Sequence, residues 1–260
     1  MDFGMPTLIE TKSLKECAAL CRALDLRFIE LNMNLPQYQL PFIDAGFFME
    51  TAEQYGIYYT VHLDENLNVS DFNPKVVQAY RQTVLETITL AKILKIPVLN
   101  MHLSKGVYFT LPDKKVYLFD VYRNDYLKSI CIFRDECEEA IDNSDILICI
   151  ENSDGFTAFQ TEALDLLLES PAFGLTFDIG HNHGIGGADE AVIMKRADKL
   201  CHMHMHDAAG KRDHLALGTG ELDLPRYFSL AGIHSCRAVL ETKTILGLKE
   251  SVKWMKGKKR

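Results

Sequence analysis

The chain has 260 residues, of which 47% are hydrophobic and 25% charged, a composition that suits a folded chain with a full core and excludes a disordered one. Its formal net charge of −8 opposes non-specific attraction to nucleic acid or to an anionic membrane surface. The seven cysteines form no C-x-x-C pair and several sit between apolar neighbours, as in Ile148-Cys149-Ile150, so they read as free thiols. With no signal-like start and no apolar run of about 18 residues, the expectation is a cytoplasmic protein without a membrane segment.

The predicted elements alternate along the whole chain. Residues near 3–9 suit a first strand, and Ser13 to Ala23 has the helical spacing of Leu14, Cys17, Ala18 and Cys21. Arg27 to Leu31 reads as a second strand, a helix over 43–55 stops before Gly56, and Ile57 to His62 is the third strand. Pro74 opens a long helix to Leu94, and Pro97 to His102 is the fourth strand. From Leu103 to Asp120 the chain is irregular but rich in aromatics (Tyr108, Phe109, Tyr117, Phe119), the pattern of a functional loop and a candidate lid. A helix over 122–142, a strand Ile146 to Glu151, a helix over 158–169 and a strand Phe173 to Asp178 follow. A helix over 187–198 leads to the histidine-rich strand beginning at Cys201, and Ala238 to Glu241 is the eighth strand before a terminal helix over 245–256. Near-continuous apolar strands are those of a parallel sheet covered by helices. Eight such units predict an α/β fold, a single (β/α)8 TIM barrel occupying residues 1–260 as one domain.

Residues 201–214 hold four of the nine histidines. Strand alternation puts His202, His204 and His206 on one face and Cys201, Met203 and Met205 on the other. Metal-capable residues also close the other strands: His62, His102, Glu151, Asp178, His204 and Glu241 end strands three to eight, and Glu30 lies in strand two. In a barrel these ends converge on one rim. Carboxylate oxygen mixed with imidazole nitrogen suits a divalent Zn²⁺, Mn²⁺, Co²⁺ or Fe²⁺ cofactor better than Ca²⁺.

The motifs Ile150-Glu151-Asn152, Phe177-Asp178-Ile179-Gly180-His181, His204-Met205-His206-Asp207, Asp213-His214 with Leu217-Gly218-Thr219-Gly220, and Leu240-Glu241-Thr242 give the chain a resemblance to the xylose isomerase-like barrel superfamily. That superfamily includes sugar phosphate isomerases and epimerases together with the endonuclease IV type of abasic-site nuclease. In the epimerase branch the resemblance implies Glu151, Asp178, His204 and Glu241 as metal ligands, with His181 and Arg212 on the substrate. In the nuclease branch it implies three zincs held by His62, His102, Glu151, Asp178, His181, His204, His214 and Glu241. Arg212 stands where that branch carries a carboxylate, and no DNA-wedging aromatic follows His62. With the acidic balance, this favours a small sugar or sugar phosphate over nucleic acid as partner. The expected chemistry is isomerisation or epimerisation through an enediolate, Glu151 and Glu241 serving as paired acid and base from opposite faces. Dehydration of a cyclic polyol is the other small-molecule alternative. Glu30 is expected to orient either a substrate hydroxyl or a ligand imidazole. His183, His202 and His234 read as structural, Gly218 and Gly220 as a tight loop, and a homo-oligomer is compatible with the sequence.

Overall fold

The computed structural model describes residues 1–258. Eight strands carry the fold: β1 (Phe3–Pro6), β2 (Phe28–Asn32), β3 (Tyr58–His62), β4 (Val98–His102), β5 (Leu147–Glu151), β6 (Phe173–Asp178), β7 (Leu200–Met205) and β8 (Arg237–Leu240). All their pairings are parallel, and each strand bonds to its sequence neighbours until β8 closes on β1. This is the expected single (β/α)8 TIM barrel.

The helices outside follow local sequence rules. Ser13, Asp44, Asn73 and Thr157 accept hydrogen bonds from backbone N–H groups in the first turns of α1 (Leu14–Ala23), α2 (Ala45–Tyr55), α3 (Pro74–Leu94) and, in a full capping box with Gln160, the helix Ala158–Leu168. Gly56 ends α2 in the left-handed conformation that a side chain would penalise. Apolar stripes then bury against the strands, as with Val84, Ile88 and Ala91 of α3. Among the described residues no helix is long and apolar enough to cross a membrane.

Three local expectations change. A helix over Leu224–Ile233, capped by Asp223 and burying Leu224, Tyr227 and Ala231, precedes β8; its Asp-Leu-Pro opening is the signal that marks it. The helix expected over 187–198 spans Ala188–Met194, and just past its end the Arg196 guanidinium binds Asp165 (2.6 Å) and the Val192 carbonyl (2.8 Å). Strict alternation in β7 fails at Cys201. The register slips there, Leu175 facing Leu200 and Thr176 facing His202, so Cys201 is the extra residue and its Sγ meets Cys149 Sγ at 3.2 Å. From His202 onward the alternation holds.

Residues 103–120 fold into a small hairpin, Tyr108–Thr110 against Lys115–Tyr117, and one short helical turn. Phe119 is buried against Tyr126, centroids 4.4 Å apart, and anchors this segment, while Tyr108 and Phe109 stay exposed.

Candidate metal centre

Strand register builds the centre. Asp178 stands opposite His204 on β6 and β7, and His102 opposite Glu151 on β4 and β5, so each pair is delivered together to the C-terminal rim. Glu241 follows β8 immediately and completes the ring. One donor atom from each of Glu151, Asp178, His204 and Glu241 lies within 4.8 Å of all the others, and all four residues are buried. His204 Nδ1 is 3.0 Å from Glu151 Oε1, 2.9 Å from Glu241 Oε2 and 3.8 Å from Asp178 Oδ2. Donors bound to one cation at about 2.0–2.2 Å stand about 3.3–3.6 Å apart when tetrahedral, and these separations fall within about half an ångström on either side of that. Glu151 Oε1, His204 Nδ1 and Glu241 Oε2 are also buried without a hydrogen-bond partner. Buried orphan polar atoms are costly, and a shared divalent cation satisfies all three together.

The second oxygen of each glutamate faces different company. Glu151 Oε2 accepts from Asn100 Nδ2 and lies 3.1 Å from His102 Nε2 and 3.4 Å from His62 Nε2. The Leu63 carbonyl lies 2.8 Å from His62 Nδ1, which fixes that nitrogen as the protonated one and aims Nε2 at Glu151. Glu241 Oε1 instead contacts Lys243 Nζ at 2.7 Å, with His214 Nε2 at 3.7 Å. Burial alone would raise both carboxyls, but His204 with His102 holds Glu151, and His204 with His214 holds Glu241, well below the usual carboxylate range. Burial pulls His62 down, yet Glu151 beside it brings the imidazole up to about 9. His204 is likewise raised by its carboxylate neighbours Glu151, Glu241 and Glu30 against the effect of burial.

A family model described as xylose isomerase-like TIM barrel matches residues 18–258. The chain belongs to this family. Among its relatives, an uncharacterized protein of Methanocaldococcus jannaschii, MJ1614, is 24% identical over 185 residues, 69% of this chain and 68% of its own. A crystal structure of a D-tagatose 3-epimerase-like protein superimposes with TM-score 0.80 at 23% identity, covering 99% of this chain and 96% of the other. The structure of IOLI protein with a bound zinc atom gives TM-score 0.75 at 15% identity over 100% and 96% of the two chains.

In this xylose isomerase-like barrel the ring of four donor residues opens into a cavity of about 540 Å³ whose lining includes His62, Glu65, His102, Asp154, Asp213 and Lys243 beside Glu151, His181, His214 and Glu241. A larger groove of about 690 Å³, lined by Lys95, Asp142 and Arg237 among others, lies at the opposite end of the barrel, where β8 begins. His181 sits over the ring, Nδ1 3.5 Å from Asp178 and 3.8 Å from Glu151. His214 reaches Glu241 from a hairpin strand and stacks on His206, centroids 4.2 Å apart. Arg212 is exposed and outside the cavity lining; its neighbour Asp213 takes the inner position, 4.0 Å from His181 Nε2 and 3.0 Å from His214 Nδ1. Glu30 lies beneath the ring, 1% exposed, bonded to His202 and in ion-pair contact with His204, and it does not line the cavity. The exposed aromatics of the 103–120 segment are not among the cavity-lining residues.

Four supporting residues went unassigned in the sequence: Asn100, Lys243, Asp213 and His206. His206 shared its strand face with His204 and so offered a signal, but it leaves the strand after Met205 and approaches Asp178 from the side. The His214 backbone N–H donates to His206 Nδ1 at 2.7 Å, which leaves Nε2–H to donate to both Asp178 oxygens at 3.0 and 3.1 Å. Asn152 adds a reciprocal pair with the Asp178 backbone, both bonds 2.9 Å. His183 pairs with Glu221 at 2.8 Å. Asp207 collects the N–H groups of Ala208, Gly218, Gly220 and Leu222 at 2.9–3.2 Å, and a Cβ on Gly220 would collide with that carboxylate. The glycines therefore allow a tight loop round Asp207, as their spacing predicted.

Proposed function

We propose that the protein is a divalent-metal-dependent isomerase or epimerase of a small sugar or sugar phosphate. The observation that carries this reading is the convergence of Glu151, Asp178, His204 and Glu241 donor atoms at the floor of a cavity sized for a small molecule. These four residues would hold Zn²⁺, Mn²⁺, Co²⁺ or Fe²⁺. When bound, the cation supplies Lewis-acid polarisation of the carbonyl and hydroxyl oxygens of an α-hydroxy ketone. Glu241 Oε1, turned to the cavity beside Lys243, takes the C–H proton, and Glu151 on the other side of the ring returns one. His181 above the ring donates to a substrate oxygen. Arg212, exposed beside the cavity-lining Asp213, is the remaining substrate-binding candidate. The D-tagatose 3-epimerase-like fold supports the same substrate class.

The test is exchange of substrate C–H with solvent deuterium by metal-loaded protein over a panel of ketoses and ketose phosphates. Glu151→Gln and Glu241→Gln are each expected to lower exchange at least about 10²-fold, the scale of acid–base catalysis. Exchange that survives in both variants removes their assigned roles, and water elimination without an epimer selects the dehydratase reading.

One observation favours a second reading. His62 Nε2 and His102 Nε2 each lie beside Glu151 Oε2, as donors would beside a carboxylate bridging two metals in a site that suits phosphodiester cleavage of abasic DNA. Elemental analysis separates the two, since two or more metals with His62- and His102-dependent cleavage of an abasic duplex selects the nuclease. The net charge of −8 weighs against it.

A further inference from the structure

Beneath the ligand ring lies a charged group that the proposed reaction does not use. Barrel interiors are usually filled by branched apolar side chains, yet here the layer holds Glu30, Thr60, Asn100, Thr176 and His202, each 1% exposed or less. Glu30 rises from β2 and crosses the interior to β7, three strands away round the barrel. Its Oε1 lies 2.8 Å from His204 Nε2, an ion-pair contact off the alignment of a hydrogen bond, and its Oε2 lies 2.9 Å from His202 Nε2 while accepting from Thr60 at 3.1 Å. Both oxygens are thus engaged, and His202 is held by one ring nitrogen only, its Nδ1 being buried without a partner.

The two ring nitrogens of His204 divide cleanly. Nδ1 faces Glu151 and Glu241, and Nε2 faces Glu30. A ligand imidazole can offer a lone pair at one nitrogen when the other carries the proton and is held in place. We infer that Glu30 is a positioning residue: it keeps the proton of His204 on Nε2 and fixes the ring, so that the Nδ1 lone pair points into the Glu151, Asp178 and Glu241 donor set, and His202 with Thr60 holds Glu30 in that pose. The inference rests on the reading that these four residues hold a cation.

Its test uses metal-free full-length protein titrated with Zn²⁺, and with Co²⁺ followed by d–d absorption. Glu30→Gln keeps the size but puts an amide N–H against one imidazole donor, and Glu30→Asp keeps the charge but stops one methylene short. Both are expected to fold, to bind Zn²⁺ about 10–100-fold more weakly, and to shift the cobalt bands. Thr176→Val, in the same layer but without a hydrogen-bond partner to lose, is expected to keep the wild-type affinity and spectrum. A folded Glu30 variant with unchanged affinity and cobalt spectrum overturns the inference, and failure of both variants to fold assigns Glu30 to the scaffold and overturns it equally. Wild-type protein that binds neither ion sinks the underlying metal reading, and this inference with it.

Discussion

Gly180→Ala is the substitution whose sign best tests how Asp178 is held. Gly180 lies in the short helix Ile179–Gly184 with an ordinary negative φ, so propensity alone would make alanine more stable by about 1 kcal/mol. A Cβ there would overlap the imidazole of His206, with its Nε2 2.9 Å away and the near ring edge closer still. That ring donates to both oxygens of Asp178 and is pinned from behind by the His214 backbone N–H. Overpacking costs about 1–3 kcal/mol, and loss of a hydrogen bond to a carboxylate about 1.5–3 kcal/mol, so the clash outweighs the propensity gain. The expected outcome is a net destabilisation of about 2 kcal/mol, a fall in Tm of about 4–8 °C, and Zn²⁺ binding weakened about tenfold or more. Thermal unfolding and zinc titration of Gly180→Ala, His206→Ala and the double variant measure it. The double variant should be no less stable than His206→Ala alone, because the collision needs both groups. A Gly180→Ala protein with equal or higher Tm and wild-type zinc affinity would refute the buttressing role of His206.

Two further expectations follow from the same geometry. Asp207→Ala leaves the N–H groups of Ala208, Gly218, Gly220 and Leu222 without their acceptor, so a loss of about 3 kcal/mol or more is expected, read by denaturant unfolding; a change under about 1 kcal/mol would refute the anchoring. For metal-free protein, His62 titrates near 9 when folded and about 6.5 when unfolded, so its pairing with Glu151 stabilises fully below pH 6.5 and is lost as pH rises through 9. Tm in chelator should therefore fall across that window, by up to about 3 kcal/mol of stability, and a flat profile would count against the pair.

The sequence by itself determined the barrel and the meeting of four donor residues at its rim, for one physical reason. Period-two alternation and apolar runs mark strands, and in a parallel barrel every strand end is delivered to the same rim, so Glu151, Asp178, His204 and Glu241 meet whatever lies between them. What the tertiary structure decided is everything that depends on reach and register across the barrel. The bulge at Cys201 is invisible in the alternation because one extra residue leaves the local pattern plausible. Asp213 replaces Arg212 at the cavity because the hairpin register, with Ala209 facing Arg212, selects which neighbour points inward. Glu30 reads in the sequence as a group that orients either a substrate hydroxyl or a ligand imidazole, and its place beneath His204 is set only by the closed barrel, which brings β2 within a side chain's length of β7. His206 and Lys243, likewise, acquire partners through packing and not through spacing.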